Sequence, residues 1–249
     1  MDSNHSCAAP APSHFAQGIL DLLRRTEYRR VDSGEDLEDI YRLRYRSYRL
    51  NDLVPSNPEH RVNDPLDETT NVMKFGVYID ENLVSTIRLH HVHAGERLSP
   101  AMSVFGDVLS PRLDSGQSFI DPSRFAVDAG WSVIFPQIPY LTLRLAGMAC
   151  VHFDAPFCIS MIREDHAAFY KRIYKSRQVG DPRNYGGVIN CDALLYEADV
   201  LGIMEESYRR YPFFRSRASE RRLLFDRPSL GVNAPMTVIP SAELDSLVA

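Results

Sequence analysis

The segment FGVYIDENLVSTIRLHHV, residues 75–92, contains two runs of alternating apolar residues on either side of a polar turn at 80–82. Such alternation around a turn predicts a hairpin with strands at 75–79 and 83–92. A further run at Phe119–Val127 predicts a third strand. The hairpin and this strand indicate the centre of a β-sheet.

Helical periodicity alternates with strands on both sides of this centre. Ser33 is expected to be the N-cap of one of the helices. Helices are predicted at 15–25, 33–49, 102–109, 140–153, 166–174 and 198–211, and the other strands at 28–31, 156–162 and 188–197. This order predicts an α/β fold in which helices cover both faces of a mixed sheet.

Length and composition favour one globular domain. The chain has 249 residues, of which 44% are hydrophobic, and a formal net charge of -5. We expect a disordered segment at 1–12, a single domain at 13–228 and a C-terminal tail at 229–249. The negative charge argues against a general nucleic-acid binder, since affinity for phosphate backbones comes from clustered positive charge.

Targeting and cysteine patterns give further expectations. The sequence has no apolar run of about 18 residues and no signal-peptide pattern, which predicts a cytoplasmic protein without an integral membrane span. The four cysteines have no C-x-x-C spacing, so we expect reduced thiols and neither a disulfide framework nor a zinc site. They are Cys7, Cys150, Cys158 and Cys191.

Two stretches carry a more specific pattern. One is YRLRYRSY at 41–48, followed across a proline-containing loop by DPLD at 64–67; the other is DPSRFAVD at 121–128. They resemble the acyl-homoserine-lactone (autoinducer) synthases and the N-acyl amino acid synthases, two branches of the GNAT acyltransferase fold. In these families a Leu-Arg-x-x-x-aromatic helix, an Asp-x-x-Asp loop, a strand arginine and an acidic-x-x-Arg strand follow in order. The matching positions here are Leu43, Arg44, Tyr48, Asp64, Asp67, Arg88, Asp121 and Arg124.

The resemblance implies a GNAT-like sheet, mixed but mostly antiparallel, and a substrate site. Its charged positions would alternate in sign around the pocket of a small-molecule amine acceptor, with Tyr48 lining that pocket or simply packing its helix. The ordinary alternative is a set of surface salt bridges, each contributing about 0 to 1 kcal/mol.

Departures from the family pattern bear on the acceptor. Asp121 stands where the homoserine-lactone branch usually has glutamate, and the only tryptophan, Trp131, follows the fourth element instead of the first motif. These differences favour an amino acid as acceptor. An autoinducer synthase using S-adenosylmethionine is the alternative within the class, and a non-catalytic module that binds acyl chains or carrier proteins is the alternative outside it.

The donor is expected to be an acyl-phosphopantetheine thioester used as a co-substrate, with no bound cofactor. GNAT enzymes that use acetyl-CoA cradle its pyrophosphate on a glycine-rich turn at a helix N-terminus. Residues 128–142 contain one glycine and two prolines, so they offer few N–H donors to such a group. A long-chain acyl group on acyl carrier protein, the donor that the resemblance implies, fits better than acyl-CoA.

Acyl transfer to an amine needs a neutral nucleophile, a stabilised oxyanion and a proton for the departing thiolate. We assign Asp121 to orient or deprotonate the amine, directly or through a water. Backbone N–H groups from Phe125 to Val127 are the candidate oxyanion donors. On the helix at 166–174, Tyr170 is the candidate proton donor to sulfur. The ordinary alternative for Asp121 is an ion pair with Arg124 or Arg88.

Acyl carrier proteins are acidic, so a basic surface is expected despite the negative net charge. The alternative for such a surface is an ordinary solvated charged face. Separately, the apolar residues at 141–148 and 159–161 either line a tunnel for the acyl chain or belong to the core. The first candidate patch has Lys171, Arg172, Lys175 and Arg177, and the second has Arg209, Arg210, Arg215, Arg217, Arg221 and Arg222.

Two other patterns suggest different chemistry. His90, His91 and His93 resemble a metal cluster, but only two of them share a strand face, so no metal is expected. Cys158 and His166 could form the nucleophile and base of a cysteine hydrolase. This Cys–His pair has no local sequence signature of such an enzyme, so an inert Cys158 is expected.

Overall fold

The computed structural model describes residues 11–186, 192–226 and 236–242. Nine strands within these ranges form one sheet. They are β1 (Thr26–Arg30), β2 (Val72–Ile79), β3 (Asn82–Val92), β4 (Phe119–Val127), β5 (Phe157–Ile162), β6 (Arg177–Gln178), β7 (Arg183–Asn184), β8 (Asp192–Asp199) and β9 (Thr237–Val238). The order is β6-β8-β5-β4-β3-β2-β1-β9, with β7 paired to β8. Of these pairings, β4 with β5 is parallel and the others are antiparallel.

Helices cover both faces of this sheet, which confirms the predicted fold class. They are α1 (His14–Leu23), α2 (Glu35–Leu50), α3 (Pro100–Asp114), α4 (Ala129–Ile134), α5 (Ile138–His152), α6 (Ala167–Tyr174), α7 (Met204–Arg210) and α8 (Ala218–Phe225). The largest hydrophobic core lies between the sheet and α1, α5 and α8. On the other face, α3 packs over β4, β5 and β8, while α2 closes a smaller cluster near β1. No helix within the described residues is long and apolar enough to cross a membrane.

The central hairpin forms as the alternation predicts. Phe75 pairs with Ile87, and Ile79 pairs with Asn82 across a two-residue turn. Asp80 and Glu81 have φ of 48° and 66°, the left-handed conformation that tight hairpin turns require. These acidic residues occupy it without a glycine, and Arg25 stabilises the turn by pairing with Asp80.

Two local predictions were wrong. The N-cap of α2 is Gly34, whose φ of 82° only glycine adopts readily, and not Ser33. The helix predicted at 198–211 begins only at Met204, because Ala198 continues β8 and pairs with Cys158. Pairing with β5 thus overrides local helix propensity here. The part of the predicted strand at 188–191 lies outside the described residues.

The described end of the chain packs onto the domain. Thr237 and Val238 pair with β1 as strand β9, so the sheet extends beyond the predicted domain end at residue 228. Ser241 donates hydrogen bonds from its backbone N–H and its hydroxyl to the buried Glu220 carboxylate of α8. These contacts tie residues 236–242 to the core.

Candidate active site

A split between β4 and β5 opens the sheet. The two strands pair only at their first residues, where Phe119 meets Phe157 and Ile120 meets Cys158. Pro122, two positions further along β4, has no backbone N–H and cannot continue a ladder. Past this point the two strands are not paired with each other, and a cleft forms between them.

The outer part of this opening is a cleft of about 190 Å³, called here the outer cleft. Four of the predicted site residues line it: Tyr48 from α2, Arg124 and Phe125 from β4, and Tyr170 from α6. Val127 does not line it; it pairs with Ser85 at the end of β4. The outer cleft therefore borders the charged positions of the motif on one side and α6 on the other.

A second, more apolar cavity continues from the outer cleft and is called here the inner cavity. The two share Pro122, Leu143, Ser160 and Tyr170 as walls. The inner cavity is the smaller of the two, with a volume of about 50 Å³. Leu143 thus lines a cavity, whereas Leu141, Leu145 and Met148 from the same predicted tunnel belong to the buried core.

The predicted charged residues form one buried network beside the outer cleft. Nη1 of Arg44 donates to both oxygens of Asp67 at 2.9 and 3.1 Å. Nη1 of Arg88 donates to Asp64 at 2.7 Å and lies 3.3 Å from Asp67. Nε of Arg124 donates to Asp64 at 2.9 Å. The two aspartates thus link α2, β3 and β4 through three guanidinium groups.

Local geometry explains how the loop presents these carboxylates. Asp64 caps the short 3₁₀ turn Pro65–Glu68, where its side chain accepts from the Leu66 N–H and Asp67 accepts from the Asp64 N–H. Arg124 reaches Asp64 because a bulge in β4 gives it a φ of 50°. A non-glycine residue in this conformation costs free energy, so surrounding contacts must hold it there.

The network has more positive than negative charge. Three guanidinium groups face two carboxylates, and Nε and Nη2 of Arg44 and Nη2 of Arg88 are buried without a hydrogen-bond partner. Burial alone would raise the pKa of Asp64, but hydrogen bonds and charges from Arg88 and Arg124 hold it well below its usual range. Burial lowers the pKa of Arg44. An additional anion at this site would be favourable.

Asp121 is not hydrogen-bonded to this network, although the charge of Arg88 acts on its pKa. Its carboxylate is fully buried, accepts from the Ala101 N–H of α3 at 2.7 Å, and leaves Oδ1 without a partner. Burial raises the pKa of Asp121 to about 6. It is not among the residues lining either cavity, although its neighbours Pro122 and Ser123 are. The alternative, an ion pair with Arg88 or Arg124, is not found among the described residues: Asp121 accepts from Ala101, while the two arginines bind Ser123 and Asp64.

Tyr170 stands where the outer cleft and the inner cavity meet. Burial raises its pKa, so the hydroxyl stays protonated at neutral pH and can donate a proton or a hydrogen bond. Tyr48 is buried and its hydroxyl lies 3.5 Å from the Phe125 carbonyl, so it contributes both packing and cleft wall.

The N–H groups at the starts of the two helices after β4 already have hydrogen-bond partners. The Asp128 carboxylate accepts from the N–H groups of Gly130 and Trp131 at the start of α4. At the start of α5, the N–H groups of Ile138 and Tyr140 bind backbone carbonyls, and the residue between them is proline. A pyrophosphate here would compete with these bonds and approach the Asp128 carboxylate.

The two predicted basic patches lie next to each other. Arg172 and Lys175 near the end of α6 share a small hollow with Glu206 and Arg210 of α7. Lys175 is paired with Glu206, and Arg177 is paired with Glu197. The combined surface is therefore basic but partly neutralised.

The histidines of β3 and the pair Cys158 and His166 lie in different surroundings. No group of three metal-ligating side chains occurs in the described ranges, and His91 instead stacks on Phe153 with ring centroids 4.3 Å apart. Cys158 lines the inner cavity, where its sulfur lies 3.9 Å from the Ser160 hydroxyl, whereas His166 lines the outer cleft. Cys7 and Cys191 lie outside the described residues.

Several residues that line the two cavities were not predicted from the sequence. Tyr174, Ser207 and Tyr208 line the inner cavity, and Tyr185 lines the outer cleft. Helical spacing relates Tyr174 to Tyr170, which was the only available clue.

The mixed sheet, covered by helices on both faces and split between β4 and β5, is a GNAT-like fold. The sequence model of the family described as N-acyl amino acid synthase FeeM matches residues 39–199, and the chain belongs to this family. It is therefore an acyltransferase. A comparison with curated protein sequences gives no significant match.

Solved structures share the fold at low sequence identity. FeeM, an N-acyl amino acid synthase from uncultured soil microbes, is 17% identical, with a TM-score of 0.61 over 75% of this chain and 97% of that chain. The CoA-dependent acyl-homoserine lactone synthase BjaI is 15% identical, with a TM-score of 0.54 over 71% of this chain and 82% of that one. The homoserine lactone synthase LasI is 13% identical, with a TM-score of 0.54 over 70% and 89%. These similarities establish the fold alone.

Proposed function

We propose that this acyltransferase moves a long-chain acyl group from the thioester of acyl carrier protein to the amine of an amino acid. One observation carries the proposal: the outer cleft and the inner cavity form one continuous opening whose two ends differ in chemistry. Its inner end is largely apolar and suits an acyl chain, while its outer end borders a buried network with surplus positive charge.

The acceptor end suits a molecule with both an amine and a carboxylate. Arg124 lines the outer cleft, and Arg88 lies directly behind it, donating to Ser123 at 3.0 Å. An acceptor carboxylate beside Arg124 would balance the third guanidinium group and form charge-assisted hydrogen bonds. This favours an amino acid over a simple amine.

The donor end suits a phosphopantetheine arm. The arm would enter between β4 and β5, where the thioester lies beside Tyr170 and the acyl chain continues into the inner cavity. The occupied N–H groups at the starts of α4 and α5 disfavour a CoA pyrophosphate. The basic surface formed by α6 and α7 suits an acidic carrier protein.

In the reaction the neutral amine nitrogen attacks the thioester carbonyl carbon, the C–N bond forms and the C–S bond breaks. Backbone N–H groups near Phe125 would stabilise the oxyanion, and Tyr170 would donate its proton to the leaving sulfur and recover one from solvent. The amine loses its proton to a base. Because Asp121 is buried behind the cleft, we assign it this role only through a water, with its pKa of about 6 suited to a base at neutral pH.

The test is turnover by the purified chain with hexadecanoyl carrier protein and a mixture of amino acids, followed by mass spectrometry. N-acyl amino acids together with released carrier thiol support the proposal, and Arg124→Gln should reduce them while Arg42→Gln, an exposed arginine of α2, should not. Homoserine lactones formed from S-adenosylmethionine, or a preference for hexadecanoyl-CoA, would replace the proposed acceptor or donor.

A further inference from the structure

The inner cavity has two unlike walls. The α5 side is apolar, with Leu143, Ala146 and Gly147. The opposite side presents hydroxyl-bearing side chains from three elements and the segment after α6. These are Ser160, Tyr170, Tyr174, Ser176, Ser207 and Tyr208. A plain alkyl chain would cover these groups and leave them without water, which is unfavourable for any hydroxyl that has no protein partner.

Tyr174 is the clearest such group. Its hydroxyl oxygen is buried and has no hydrogen-bond partner. Burial raises the pKa of Tyr174 well above its usual value, so the group is a neutral O–H donor. Most buried polar groups in proteins are paired, so an unpaired hydroxyl on a cavity wall indicates a partner supplied by the ligand.

The position of Tyr174 indicates where along a bound acyl chain that partner would lie. Tyr170 lies at the junction with the outer cleft, and Tyr174 follows one turn later on α6, with the two ring centroids 6.0 Å apart. One helical turn advances about 5.4 Å. An acyl chain whose thioester lies beside Tyr170 would therefore pass Tyr174 a few bonds beyond its carbonyl carbon.

We infer that the inner cavity selects an acyl chain that carries an oxygen substituent, a hydroxyl or an oxo group, a few carbons from the thioester, and that Tyr174 donates a hydrogen bond to this oxygen. The inference rests on the proposed function, since it assumes that the acyl chain occupies the inner cavity. It adds a specificity-determining residue that does not take part in bond formation.

The experiment compares three carrier-protein donors of equal length: hexadecanoyl, 3-hydroxyhexadecanoyl and 3-oxohexadecanoyl. The wild-type kcat/KM should be about fivefold to tenfold higher for at least one oxygenated donor, the effect of one ordinary hydrogen bond. Tyr174→Phe should bring that ratio to about one. Tyr140→Phe removes a tyrosine hydroxyl from a residue that does not line the inner cavity and should keep the wild-type ratio.

The outcomes separate this inference from the proposed function. A lack of N-acyl product with all three donors would contradict the proposed function itself. Product with all three at equal kcat/KM, or a preference that survives Tyr174→Phe, would overturn the inference alone. Because the lost hydroxyl has no partner in the protein, Tyr174→Phe should also keep or raise the melting temperature, which excludes misfolding as the cause of a lower ratio.

Discussion

Two buried arginine networks lie on opposite faces of the sheet, and they are built differently. On the α5 face, Nε of Arg144 donates to the Phe213 carbonyl at 2.8 Å, and its other nitrogens bind the Glu220 carboxylate and the Arg215 carbonyl. One cation meets one anion, and Ser241 satisfies Glu220 further. This network is complete without any ligand.

The network beside the outer cleft is incomplete by comparison. Its three guanidinium groups share Asp64 and Asp67, and N–H groups of Arg44 and Arg88 remain unpartnered. A buried network that is fully satisfied serves stability, whereas one with surplus charge next to a cleft is poised to bind. This difference supports the proposal that the network beside the outer cleft binds substrate, and it can be tested variant by variant.

The largest effect is expected from breaking the complete network. Glu220→Gln leaves the Arg144 cation buried without a counter-charge, so the free energy of unfolding should fall by about 3–5 kcal/mol. Urea denaturation measures this, with Glu27→Gln on β1 as a control for a partly exposed pair. A loss below about 1 kcal/mol would mean that the two networks do not differ as described.

The next largest effect is the contribution of Asp64 to the free energy of unfolding, which depends on pH. Its pKa is lower in the folded chain than in the unfolded one, so its contribution is present above about pH 4 and is lost as the pH falls below that value. Asp64→Asn should lower the free energy of unfolding by about 2–3 kcal/mol at pH 7. The difference from wild type should shrink at pH 3; a constant difference would contradict the assignment.

A smaller effect is expected from Asp121. If its ionised form removes the amine proton, kcat/KM should rise about tenfold between pH 5 and 7 through the pKa near 6, and Asp121→Asn should remove this step. Titration of the substrate amine changes kcat/KM with pH equally in wild type and in Asp121→Asn. The measured quantity is therefore the difference between their two pH profiles. Asp114→Asn, an exposed position on α3, is the control. A step that persists in Asp121→Asn would leave Asp121 as a structural acceptor for the Ala101 N–H.

The smallest effect on stability is expected at Gly147, three residues after Arg144 on α5. A side chain at Gly147 would meet open space in the inner cavity, and leucine has the better helix propensity by about 1 kcal/mol. Gly147→Leu should therefore fold well and shift turnover towards shorter acyl donors. Gly18→Leu on α1, also facing open space, should leave chain-length preference unchanged.

The sequence was most informative where local patterns carry the geometry. Alternation located β2, β3 and β4, and the family resemblance singled out the five residues that the structure joins into one network. Helix and strand periodicity arise from neighbours in the chain, so they are legible in the sequence. The N-cap of α2 was misassigned because a glycine at positive φ and a serine both suit a helix start.

Contacts between distant segments could not be derived in this way. No sequence pattern connects Arg144 with Glu220, which are 76 positions apart, and none separates cavity residues from core residues along α5. Asp121 was expected near the acceptor, but packing against α3 buries it behind the cleft wall.

The amino-acid sequence by itself determined the α/β class, the motif and the family resemblance, because each depends on residue types at short, fixed spacings. The tertiary structure decided which charges remain in surplus, where β4 and β5 part, and which hydroxyl groups line the inner cavity. These properties depend on how side chains from distant segments share space and exclude water, and such packing is set only when the whole chain has folded.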